Sequence, residues 1–122
     1  MIVDTVSRAA GLLAPYLAEG EGVAVLHLGC DRRLIAATVG EASGEDGLEL
    51  PVRDIIGVAL RLGAAALIVA HAKSGGDAEP SEDELQASRR LAQAAAAAGV
   101  PLLDHLVFAG DDCRSLGELG LL

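Results

Sequence analysis

The chain has 122 residues, of which 52% are apolar and 22% charged, so a disordered chain is excluded and one domain with its own core is expected. The net charge of −9 and the scarcity of aromatic residues argue against binding to nucleic acid or to an anionic membrane surface. There is no apolar run of membrane-spanning length and no signal-peptide pattern, which predicts a cytoplasmic protein. The two cysteines, Cys30 and Cys113, lack metal-type spacing and are expected to be reduced thiols, with a disulfide left open.

Hydrophobic periodicity predicts a helix and a hairpin in the first third of the chain. Apolar residues at helical spacing predict a helix over Val3–Ala18, which Pro15 kinks or divides. The apolar run Val23–Leu28 and the segment Leu34–Val39 predict two strands joined by a turn at Gly29–Arg32. The chain therefore opens as helix, strand, strand.

The rest of the chain alternates helices and strands. The segment Gly40–Glu49 is acidic and contains glycine, which predicts a surface loop. A helix is predicted over Val52–Leu62, a buried strand over Ala64–Ala70, a long helix over Ser81–Ala98 and a last strand over Leu102–Ala109. This order predicts an α/β layered domain with a mixed sheet.

The polar loop between the buried strand and the long helix is the candidate site, because strand ends and helix N-termini converge there. It begins with His71 and Lys73, and Ser81 with Glu84 fits a capping box that needs no catalytic explanation. Glu21 precedes the first strand, and it faces this loop if that strand lies beside the buried one.

The stretch His71–Glu84 resembles the motif of the RadC-type branch of JAB/MPN (JAMM) domains, His-Asn-His-Pro-Ser-Gly-Asp-Pro-x-Pro-Ser-x-x-Asp. Arg53–Ile56, Leu60–Ala70, Pro101–His105 and Gly120–Leu122 resemble further family segments, so the resemblance runs from about residue 20 to the C-terminus. It implies a cytidine-deaminase-like α-β-α sandwich. We expect a single RadC-like JAB domain over residues 1–122, with a helical segment at 1–19 and without the helix-hairpin-helix region of longer members.

The resemblance also implies site roles. Active members of the wider family are zinc-dependent peptidases or isopeptidases, in which two His and one Asp hold the metal, a Glu is the general base and a Ser stabilises the oxyanion. By this correspondence Glu21 is the base, His71 the first metal ligand and Ser81 the oxyanion residue. Glu84 stands where the Asp ligand belongs, and Lys73 where the second His belongs.

Lysine at a ligand position changes the expected function. An ammonium group donates hydrogen bonds and does not coordinate zinc, so Lys73 is predicted to pair with Glu21, Glu84 or both in a pocket without metal. We therefore expect no cofactor, weak or no catalysis, and a role as a binding or scaffold module for a protein or peptide, with a homodimer possible.

Two other functions stay open at this stage. One is a zinc-dependent hydrolase with a remodelled site, in which His71, Glu84 and Asp77 would be the ligands. The other is an accessory role in DNA repair, the label that RadC relatives carry. Asp104 and His105 are interpreted as structural, and His27 as a core or interface residue.

Overall fold

A computed structural model describes residues 1–19, 21–42, 49–74 and 77–122. Within these ranges the chain forms three α-helices and five strands. The helices are α1 (Val6–Leu13), α2 (Val52–Leu62) and α3 (Glu82–Ala97). The strands are β1 (Val23–Leu28), β2 (Leu34–Gly40), β3 (Ala66–Ala72), β4 (Leu102–Ala109) and β5 (Asp112–Ser115).

The five strands form one mixed sheet in the order β2-β1-β3-β4-β5. Only the β3–β4 pair is parallel among the strands described, because α3 carries the chain back across the sheet between them. The first strand does lie beside the buried one: β1 pairs antiparallel with β3, and Val23 is opposite His71. This register places the start of β1 beside the end of β3, where the polar loop begins.

The two faces of the sheet are covered by different helices, which confirms the predicted α-β-α layering. Even-numbered residues of β1, such as Leu26, pack with Ala9 and Leu13 of α1. Odd-numbered residues, such as Val25, pack with Ile55 of α2 and Leu91 of α3. Alternation along the strand thus divides the apolar residues into two separate core layers.

Several boundaries differ from the sequence prediction for local reasons. The first helix begins at Val6, because Thr5 caps it by accepting a hydrogen bond from the Arg8 amide, and Pro15 lies in a following 3₁₀ turn over Ala14–Leu17. The buried strand begins at Ala66, after Gly63 ends α2 at φ +67°, and it continues to Ala72. His71 is therefore part of the strand, and not the first residue of the loop.

The last strand of the sheet was not predicted. Strand β5 has only four residues, and three of them are Asp112, Arg114 and Ser115, so it shows no apolar signal. Most of the predicted acidic loop Gly40–Glu49 lies outside the described residues. Cys30 is exposed, Cys113 is partly buried, and the two are unpaired. No helix in the described part of the chain is both long and apolar enough to cross a membrane.

Candidate functional site

A cleft of about 940 Å³ opens where β1 begins and where β2 and β3 end. His71 and Lys73 form part of its floor, together with Glu84 from the first turn of α3. The residues at its rim include Tyr16, Glu19, Glu21 and Glu41. The cleft therefore contains both the polar loop and the carboxylate that precedes β1.

Glu84 is the centre of a buried hydrogen-bond network. Its Oε2 lies 2.6 Å from His71 Nε2, and its Oε1 lies 2.9 Å from Lys73 Nζ. The Ser81 amide also donates to Oε1, at 3.0 Å, while Ser81 Oγ accepts from the Glu84 amide, so the predicted capping box is present. Burial by itself raises the pKa of Glu84, but the hydrogen bonds from His71, Lys73 and Ser81 outweigh it and hold the pKa well below its usual range. Glu84 is therefore an ionised carboxylate that is only 5% exposed.

Lys73 fixes the loop to the helix. Besides its bond to Glu84, its Nζ donates to the backbone carbonyl of Glu79 at 2.6 Å. The ammonium group thus lies beside a nearly buried carboxylate, and its charge offsets the cost of burying that carboxylate. Among the residues that the structure describes, Glu84 is the only acidic partner of Lys73, so of the two carboxylates considered, Glu84 pairs with Lys73 and Glu21 does not.

The network continues from His71 into the core. His71 Nδ1 lies 2.7 Å from His105 Nε2, and His105 Nδ1 lies 2.8 Å from Ser88 Oγ. Burial lowers the pKa of His105 to about 3, with a further contribution from the charge of His71 that the charge of Glu84 partly opposes, so this imidazole is neutral. These contacts give every ring nitrogen of His71 and His105 one hydrogen-bond partner.

Strand and helix periodicity explain why these four side chains meet. His105 is opposite Val69 in the parallel β3–β4 pair, and His71 is two residues beyond Val69, so both imidazoles project to the face covered by α3. Glu84 and Ser88 are four residues apart and are both buried on α3, so they lie on the side of the helix that faces the sheet.

The residues present do not fit a zinc ion. A nitrogen and an oxygen bound to one tetrahedral zinc lie roughly 3.3 Å apart, given metal–ligand distances of about 2.0–2.2 Å. His71 Nε2 and Glu84 Oε2 are 2.6 Å apart and bond to each other directly. The other carboxylate oxygen of Glu84, Oε1, accepts a hydrogen bond from Lys73 Nζ. The described residues contain no cluster of three His, Cys, Asp or Glu side chains that could hold a metal.

The other predicted site residues are placed as follows. Glu21 is exposed at the rim of the cleft. Ser81 is the N-cap of α3 and is not among the residues that line the cleft. Asp77 Oδ1 accepts a hydrogen bond from the Glu79 amide within the loop. The structure thus brings His71, Lys73 and Glu84 together, and Glu21 lines the same cleft without a contact to them among the described residues.

Sequence reasoning missed His105 and Ser88 as members of the site. Ser88 carried no signal of its own, because a single serine in a helix is uninformative. For His105 the sequence offered no signal either, because its position beside His71 depends on the register of the β3–β4 pair. His27, by contrast, is a core residue as expected: its Nε2 bonds to Thr38 Oγ1 at 2.8 Å, and its Nδ1 has no partner among the described residues.

Asp104 has the structural role that was predicted for it. Its carboxylate accepts hydrogen bonds from Ser115 Oγ at 2.5 Å and from the amides of Gly117 and His105. We expect Asp104→Ala to lower the free energy of unfolding by about 2–3 kcal/mol, because three donors lose a buried charged acceptor. Urea unfolding measures this effect, and Asp111→Ala on the adjoining exposed turn is the control, with an expected change below about 0.5 kcal/mol.

Comparison with known proteins gives a family match. The sequence model described as "RadC-like JAB domain" matches residues 3–121, which includes the N-terminal helix. A UPF0758 protein of Bordetella petrii is 47% identical over 70 residues, which is 57% of this chain and 31% of that protein. A UPF0758 protein of Picosynechococcus is 39% identical over 123 residues, which is 97% of this chain and 49% of that protein. The chain spans half or less of the length of these relatives.

Proposed function

The chain belongs to the RadC-like JAB domain family, and we propose that it is a metal-independent member that binds a protein or peptide rather than hydrolysing it. One observation carries the proposal: the Glu84 carboxylate, at the position of a metal ligand, bonds instead to Lys73 at 2.9 Å and to His71 at 2.6 Å. An internal cation and an imidazole therefore take the place that a metal ion would need.

The remaining residues support the same proposal. Without a metal to lower the pKa of a bound water, Glu21 has no activated nucleophile to deprotonate. The Ser81 hydroxyl accepts from the Glu84 amide as a helix cap, which accounts for this residue without an oxyanion role. The cleft itself is retained, and a cavity of about 940 Å³ is large enough for several residues of an extended peptide.

The charge of the cleft supports a protein or peptide ligand over a nucleic acid. Glu19, Glu21 and Glu41 line it, and Lys73, its lining cation among the described residues, is already paired with Glu84. Phosphate groups would meet uncompensated carboxylates there. An accessory role in DNA repair would therefore act through another protein, and a salt-sensitive gel shift by this chain would argue for direct contact.

Metal content tests the proposal. We expect the protein purified without chelator to contain less than about 0.1 zinc per chain, and the variant Lys73→His/Glu84→Asp to bind about one, because it restores the two missing ligands. Zinc is measured by mass spectrometry and titration calorimetry. Lys73→Gln is the matched control, since it removes the ammonium group without supplying an imidazole.

Each outcome of the zinc measurement has a defined meaning. About one tightly held zinc per wild-type chain would overturn the proposal and favour the remodelled hydrolase. A double variant that is folded but binds no zinc would show that this loop does not correspond to the metal motif of the family. Zinc binding by Lys73→Gln would show that Glu84 and His71 suffice, and that Lys73 is not the residue that excludes the metal.

A further inference from the structure

Strand β2 forms one edge of the sheet, and part of its backbone is unpaired in the described structure. The carbonyls of Gly22 and Leu28 bond to the amides of Ala72 and Ala65, so the even-numbered backbone groups of β1 face β3 and the odd-numbered groups face β2. Val25 is opposite Thr38, which makes Thr38 an inward-bonded residue of β2. Its neighbours Ala37 and Val39 therefore direct their N–H and C=O groups away from the sheet.

The two edges of the sheet differ in how well they are protected. Strand β5 has four residues and carries Asp112 and Arg114, which form an ion pair at 3.4 Å. Strand β2 has seven residues without a charge or a proline, and Ile35 and Val39 are 40% and 65% exposed. Natural proteins usually shorten or charge an exposed edge strand, so an uncharged edge of this length indicates that another strand pairs with it.

The open part of the β2 edge begins after Leu34. The amide of Leu34 bonds to the carbonyl of Met1, and the amide of Val3 bonds to the carbonyl of Arg32. These bonds form a bridge between Ile2 and Arg33, which covers the start of the edge. An added strand can therefore reach only residues 35–40.

We propose that the open edge of β2 pairs antiparallel with the same edge of a second copy of this chain, about a two-fold axis at Thr38. The flanking charges favour a second copy, because Arg33 precedes the strand and Glu41 follows it. Antiparallel pairing brings the Arg33 end of each copy towards the Glu41 end of the other, so the contact is electrostatically self-complementary. The strand between these charges is neutral, so residues of the two strands bring no like charges together at the axis.

The backbone geometry fixes the register of this contact. Pairing Ala37 of each copy with Val39 of the other joins the outward groups of both strands in four hydrogen bonds. Thr38 then lies opposite its own copy as a non-hydrogen-bonded pair, with Cα atoms about 4.5 Å apart. Centring the pair one residue earlier, on Ala37, would run the second strand into the segment Met1–Val3 that already bonds to Leu34.

Such a dimer has a consequence for the cleft. The end of the open edge also lines the cleft, through Val39 and Gly40 of β2 and through Glu41, which follows the strand. The Arg33 end of the second copy would therefore border the cleft and add positive charge to its acidic rim. This dimer does not depend on whether the site binds metal, so its test is independent of the zinc measurement.

Sedimentation equilibrium tests the dimer. Because the contact is short, we expect a concentration-dependent dimer with a dissociation constant of about 10–100 µM. Val39→Lys should weaken association at least about tenfold, since a charge on the edge opposes strand addition. Leu60→Lys, which makes the same change at a residue of α2 that is 56% exposed, should leave association unchanged. A wild-type chain that stays monomeric to about 1 mM would overturn the proposal.

Two further variants identify the contact. Arg33→Glu and Glu41→Arg should each weaken the dimer about tenfold, and the double reversal should restore it, because like charges then become opposite charges again. Thr38→Cys, in a Cys30→Ser/Cys113→Ser background, should form an intermolecular disulfide on oxidation, whereas Arg114→Cys on β5 should not. A dimer that shows neither charge rescue nor this cross-link would place the interface elsewhere and refute the β2 contact.

Discussion

Glu84→Gln is expected to lower the free energy of unfolding by about 3 kcal/mol, measured by urea denaturation at pH 7. The glutamine keeps the size of the side chain and can still accept the capping bond from Ser81. It removes the charge that pairs with Lys73 and with His71, and it leaves a partly buried ammonium group uncompensated. Breaking one side of such a pair costs more than the pair itself contributes, because the remaining charge stays desolvated.

Two comparisons make this expectation specific. Glu82→Gln removes an equal charge from the same helical turn. Because Glu82 is 73% exposed and its ion pair with Arg89 is long, at 4.0 Å, we expect the free energy of unfolding to change by less than about 0.5 kcal/mol. Adding Lys73→Met to Glu84→Gln should recover part of the loss, because no unpaired charge then remains. A Glu84→Gln effect as small as that of Glu82→Gln would mean that the network does not stabilise the fold.

Acid should destabilise the protein in two pH windows, which overlap below about pH 4.3. His105 has its pKa lowered to about 3 by burial, whereas in the unfolded chain it titrates near 6.5. Between these values the unfolded state binds more protons than the folded state, so stability is full above about pH 6.5 and falls as the pH is lowered. Burial also lowers the pKa of His27, which adds to the same window with the same sign.

The second window belongs to Glu84. Its pKa is depressed in the folded state, so its contribution is full above the unfolded value of about 4.3 and is lost as the pH falls further. We expect His105→Gln to flatten the stability profile between pH 6.5 and 4.5, and His27→Gln to flatten it in the same range. Glu84→Gln should reduce the slope only below about pH 4.3. Thermal unfolding across pH measures both windows, and an unchanged profile in His105→Gln would show that His105 is not held neutral.

Local sequence signals predicted the elements that position the site. Ser81 followed three residues later by Glu84 predicted the start of α3, and both halves of the capping box are formed. The apolar runs predicted Val23–Leu28 and Leu102–Ala109 with the boundaries that the structure has. These features depend on residues close together in the chain, where spacing alone determines which groups can bond.

Resemblance to a family contributed a different kind of information. It predicted that Lys73 and Glu84 stand at positions of metal ligands, which residue spacing alone does not indicate. It could not say which carboxylate Lys73 would choose. The structure pairs it with Glu84, because Glu84 is fixed on the first turn of α3 and the loop carbonyl of Glu79 holds the ammonium group beside it.

The sequence by itself determined the α/β class and the capping of α3, since each follows from residue type and short-range spacing. Only the tertiary structure decided that His105 and Ser88 extend the network and that β2 is left as an edge. Both facts depend on strand order and register, which join residues 34 positions apart, such as His71 and His105. No local pattern encodes such a pairing, because it results from the way in which the two core layers pack against the sheet.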